Sequence, residues 1–126
     1  MTAAPETSEL EIIFNVLKYE KGALMIGLYD SERSYSGTGE AVRGLKLDVT
    51  GRRLTATIDG LKPGRYAVKA FHDLDNSGKL EFTIFGIPLK PVAFSNRATV
   101  SFGPPSWSRA SFTITPGKNT TTIDIK

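Results

Sequence analysis

From Leu10 onward, apolar residues recur at every second position. Leu10, Ile12, Phe14 and Val16 make one such run, and Leu24, Ile26 and Leu28 make the next after a turn at Gly22. Leu45, Leu47 and Val49 alternate with Lys46 and Asp48, and Leu54, Ala56 and Ile58 alternate with Thr55, Thr57 and Asp59. Tyr66, Val68 and Ala70 follow Pro63–Gly64, Phe112 and Ile114 precede Pro116–Gly117, and Thr121, Ile123 and Ile125 close the chain. A period of two belongs to strands with one face in a core and the other in water. The pattern predicts seven short strands, an eighth at Val92–Phe94, and no helix beyond a turn near Tyr35. Two such sheets bury their apolar faces against each other. The expected fold is therefore all-β: a seven-to-eight-stranded antiparallel β-sandwich, Ig-like or transthyretin-like, with one long ordered loop segment.

Turn chemistry adds detail. Thr50–Gly51 separates two alternating runs and predicts that they form a β-hairpin, with Arg52 and Arg53 at its solvated end. In Gly60–Tyr66, Pro63 suits the first central position of a turn and Gly64 the second. Tyr66 then either bonds back to the backbone as a tyrosine corner or is simply buried after the turn. The first eight residues, MTAAPETS, are small and polar and lack the apolar stretch of a signal peptide. Residues 1–8 are expected to be a flexible leader and residues 9–126 a single domain.

Composition narrows the chemistry. The chain has 126 residues, 40% of them hydrophobic and 23% charged, which suits one folded domain with a real core. It has no apolar run long enough for a membrane span. The absence of cysteine excludes disulfides, zinc–thiolate sites and iron–sulfur clusters, and a single histidine, His72, excludes a multi-histidine metal site within one chain. The net charge of +3 comes from scattered basic residues, so no nucleic-acid partner is expected.

One segment breaks the alternation. From Asp73 to Ser108, about 36 residues carry glycine, proline and aromatics, and loops of more than ~12–15 residues are usually functional or disordered. Phe82, Ile84, Phe85, Ile87, Phe94, Phe102 and Trp107 make this one too apolar for disorder, so they are expected to bury against the sandwich. The competing reading makes His72, Phe82, Phe85, Ile87, Phe94 and Trp107 a ligand or partner surface.

The segment opens with DLDNSGKLEF, Asp73 to Phe82. Asp73, Asp75 and Ser77 fall at positions 1, 3 and 5 of a calcium loop, with Gly78 at the sharp turn of position 6. Lys79 would offer its backbone carbonyl at position 7, and Glu81 at position 9 would bind directly or through water. Position 12 is Ile84 rather than a bidentate glutamate, so further ligands would come from elsewhere, such as Asp30 or Asp59. Calcium is the one cofactor this pattern suggests. The same residues equally make an Asx-turn, with Asp73 and Asp75 accepting bonds from backbone amides.

Other motifs are weaker. His72, Asp73 and a serine such as Ser95 do not sit in a nucleophile-elbow pattern. Gly37-Thr38-Gly39 lacks the helix of a phosphate-binding loop, and Asn119-Thr120-Thr121 is a short glycosylation sequon.

The motifs Gly60–Phe82, Phe85–Asn96 and Pro105–Ile114, with weaker likeness at Lys21–Ser31, resemble an uncharacterised family of bacterial exported proteins known only as a domain of unknown function. The resemblance implies a periplasmic or secreted β-sandwich with no established activity. Such relatives usually carry Asn where this chain has Asp75 and Ser77, Asp where it has Glu81, and an acidic residue where it has Lys90. The expected function is thus a non-enzymatic exported binding or structural module, with one calcium ion as a candidate stabiliser of Asp73–Glu81. The alternatives are a carrier of a small apolar ligand and a small hydrolase using His72. Transthyretin-like hydrolases rely on several histidines and a Tyr-Arg-Gly-Ser terminus, both missing here. The partner is expected to be a protein, a cell-envelope component or a small apolar molecule, with the chain a monomer or weak homodimer.

Overall fold

The computed structural model describes residues 7–38, 40–100 and 103–126. Eight strands form two sheets: β1 (Ser8–Val16), β2 (Ala23–Tyr29), β3 (Arg43–Asp48), β4 (Arg53–Leu61), β5 (Gly64–Asp73), β6 (Val92–Phe94), β7 (Phe112–Ile114) and β8 (Gly117–Ile125). A helical turn at Ser34–Thr38 and a one-turn helix, α1 (Trp107–Ala110), complete the elements. The all-β sandwich expected from the alternation is the fold observed, and the turn near Tyr35 is present.

One sheet has the order β4-β1-β8, and the other has β3-β2-β5-β6 with β7 also on β5. Pairing is antiparallel except that β1 and β8 run parallel, from Ser8 beside Gly117 to Val16 beside Ile125. β1 is central in its sheet, and Leu10, Ile12, Phe14 and Val16 are fully buried. They meet Leu24, Ile26 and Leu28 of β2 and Tyr66, Val68 and Ala70 of β5 in one core. Each of the leucine, isoleucine, valine and phenylalanine side chains among them contributes about 1.5–3 kcal/mol on burial.

The hairpin expected across Thr50–Gly51 does not form. β3 pairs with β2 and β4 with β1, so this turn carries the chain from one sheet to the other. Alternation fixes which face of each run is buried but not which neighbour it pairs with, and both runs satisfy it in separate sheets. Arg52 lies in the crossing, with its Nε 2.7 Å from Glu20 Oε1. Tyr66 forms the corner: its hydroxyl donates to the Lys62 carbonyl at 2.6 Å. The sequon residue Asn119 is used internally, donating to the Thr115 carbonyl at 2.8 Å and accepting from the Thr115 amide at 3.0 Å. The leader expected over residues 1–8 gives way to strand at Ser8, and residues 1–6 lie outside the described residues.

Candidate functional site

β5 runs through the middle of the five-stranded sheet and delivers its two faces to different uses. Tyr66, Val68, Ala70 and His72 point into the sandwich, while Lys69, Phe71 and Asp73 alternate onto the outer face. The outer face, and the chain that leaves it after Asp73, build the candidate site.

Asp73 is fully buried at the end of β5. Its Oδ2 accepts from the Gly78 amide at 2.7 Å, Asp75 Oδ1 accepts from the Ser77 amide at 3.1 Å, and Ser77 Oγ accepts from the Lys79 amide at 3.3 Å. The backbone thus curls so that oxygens at alternate positions face inward, with Asn76 and Gly78 both at positive φ. Gly22 makes room beside it: φ there is +74°, and a Cβ would collide with the Asp73 carbonyl oxygen.

The centre of this ring of oxygens holds the ammonium of Lys90. Its three N–H bonds are shared among four acceptors, Asp73 Oδ1 at 2.7 Å, Asp75 Oδ1 at 2.7 Å, Ser77 Oγ at 2.9 Å and the Lys79 carbonyl at 2.6 Å. Four of the five residues expected to ligate calcium therefore converge, and they converge on a lysine of the same chain. Glu81 is exposed and makes none of these bonds. Asp30 lies instead beside Tyr66, and Asp59 sits on β4 of the other sheet. Among the described residues, no three His, Cys, Asp or Glu side chains are grouped to hold a metal ion. Burial opposes the Lys90 charge, but its hydrogen bonds and attraction to Asp73 and Asp75 outweigh that and raise its pKa. The Lys90 hydrogen bond, followed by those from Ser77, holds the Asp75 carboxyl well below the usual carboxylate range.

This clasp ties together the two ends of a small hairpin. The Glu81 carbonyl accepts from the Leu89 amide at 2.8 Å, the Thr83 amide donates to the Ile87 carbonyl at 2.8 Å, and Thr83 Oγ1 accepts from the Ile87 amide at 3.1 Å. These bonds close the hairpin on itself, and it stands off the sheet. That overturns the burial expected for its apolar residues: Ile84 is 94% exposed, Phe85 83%, Ile87 59% and Phe82 54%. Phe94 and Trp107 are half-buried, and Phe102 lies outside the described residues.

Between hairpin and sheet lies an open groove of about 1360 Å³. Met25, Tyr29, Phe71 and Phe94 belong to its sheet side, Phe82, Phe85 and Ile87 to its hairpin side, and Val100 to the segment after β6. Lys46 and Lys69 are the charged residues among those lining it. Lys69 Nζ donates to the Tyr35 carbonyl and lies 4.5 Å and 5.0 Å from the ring centres of Tyr35 and Tyr29. Burial lowers its pKa. Burial, and then Tyr29, push the Tyr35 hydroxyl up to about 12, and it donates to the Pro105 carbonyl at 2.5 Å.

His72, expected at a surface, is buried on the opposite face of β5. Its Nε2 lies 2.6 Å from the Lys21 carbonyl oxygen, so that nitrogen carries a proton and donates it. Ser95 is buried elsewhere, accepting from the Val68 amide at 2.8 Å and donating to the Ala110 carbonyl at 2.6 Å. His72 and Ser95 are thus each bonded to backbone rather than to each other. Together with Asn96, which donates to the Arg109 carbonyl at 3.0 Å, Ser95 pins α1 against β5. Trp107 packs against the buried Tyr35, Ala67 and Ala110, its ring edge-on to Tyr35 at 5.9 Å, and does not line the groove.

A family model described as an uncharacterised protein conserved in bacteria (DUF2141) matches residues 12–123. The chain belongs to this family. The match spans the sandwich from β1 to β8, including the clasp and the hairpin. Neither the curated proteins nor the solved structures contain a significant match.

Proposed function

We propose that the protein is a non-enzymatic binding module whose binding face is the apolar groove between the five-stranded sheet and the Glu81–Leu89 hairpin. The observation that carries this reading is the group of large apolar side chains held in water there, Phe82, Phe85 and Ile87. Exposed apolar surface of this extent costs solubility and marks binding sites in folded proteins. The clasp supports the reading, because it fixes both feet of the hairpin and lets the groove exist before a ligand arrives. Preformed apolar sites lose less entropy on binding. We further propose that Lys90, and not calcium, holds the Asp73–Lys79 loop, since a divalent ion would have to displace an ammonium that already uses four of its oxygens. An exported location rests on the motif resemblance alone, and fractionation of cells making the full gene product tests it.

The groove is tested by titrating the protein with Nile red, an uncharged dye that brightens in apolar surroundings. Saturable binding is expected in the wild type. Phe85→Ser/Ile87→Ser, at exposed positions, should keep its circular dichroism and weaken binding about tenfold or more. No saturable binding, or binding unchanged in the double variant, overturns the reading.

A further inference from the structure

We infer that the ligand of the groove is a single-chain amphiphile with an anionic head. This inference rests on the groove being the binding face, and it adds the chemistry of the occupant. The groove is lined by apolar side chains from both the sheet and the hairpin, which suits a hydrocarbon chain rather than a polar solute. Among the described residues, its charged lining residues are both lysines, and no carboxylate lies among them. Lys46 is exposed on the edge strand β3 and makes no ion pair among the described residues. Lys69 is held by the Tyr35 carbonyl and the two tyrosine rings, which leaves its ammonium further donors. An apolar trough with cations and no anions rejects a cationic head and attracts an anionic one. A carboxylate and a phosphate share this chemistry, so a fatty acid and a lysophospholipid are both sources of it.

Calorimetric titration with decanoate, decyl phosphate, decanol and decyltrimethylammonium, each below its aggregation threshold, tests the inference. Decanoate or decyl phosphate should bind roughly two- to fivefold tighter than decanol, the range an exposed ion pair allows. The cationic surfactant should bind weakest, and the tighter anion identifies the head. Lys46→Gln, a surface change, should narrow the gap between anion and alcohol. Decanol binding as well as or better than both anions, or an anion preference untouched by Lys46→Gln and Lys69→Gln alike, overturns the inference and leaves the groove reading standing. If none of the four binds, both fall.

Discussion

At the scale of single residues, Lys90 decides how the Asp73 loop is held. It places a positive charge where the loop's oxygens point, and the fully buried Asp73 carboxylate depends on it. Removing one partner of a buried ion pair is more damaging than never having built it. Lys90→Met should therefore lower Tm more than Asp75→Asn, because Asp75 is largely exposed and Asp73 is not. Calcium up to millimolar levels should leave the wild-type Tm unchanged, and a saturable rise on calorimetry would contradict Lys90 as the loop's own cation. The pH dependence follows from the same bonds. Asp75 has its folded pKa depressed below its ordinary 3.8. Its stabilisation is thus complete above that value and is lost as pH falls toward the depressed one. Lys90 is raised above its ordinary 10.5, so its share is complete below that value and lost as pH rises through the higher folded one. The Tm difference between wild type and Lys90→Met should be level at neutral pH and shrink at both extremes. The loop's oxygens were legible in the sequence from their alternate spacing. Their partner was not, since it lies 17 residues beyond Asp73 and no local pattern joins the two.

At the scale of elements, strands were legible and their pairing was not. Period-two runs located seven of the strands, because one wet and one buried face leave that mark on a strand, and the short eighth at Val92–Phe94 was expected beside them. The same marks could not tell that β3 and β4 belong to different sheets, or that β1 lies parallel to β8. These pairings are set by which faces fill one core. The apolar segment after Asp73 was misplaced for a related reason: composition says such residues bury, whereas bonds within Glu81–Leu89 close it on itself as a hairpin apart from the sheet. Two joints between elements give checks by denaturant unfolding. Ser95→Ala leaves the Val68 amide and the Ala110 carbonyl without their buried partner and should cost about 1–3 kcal/mol. Gly22→Ala should cost about 1–2 kcal/mol from its left-handed backbone alone, and more from its collision with Asp73.

At the scale of the whole molecule, the two faces of the five-stranded sheet divide the work. The inner face, with the three-stranded sheet, makes the core that stabilises the fold. The outer face, with the clasped hairpin, leaves apolar side chains in water beside two lysines. The central claim is that this outer face binds. An amide NMR titration with decanol tests it most directly, because it reports where a ligand sits whatever its head. Saturable shifts should gather on β2, β5 and residues 80–92, with β1, β4 and β8 unmoved. Shifts centred on the three-stranded sheet, or none at saturating decanol, would contradict it.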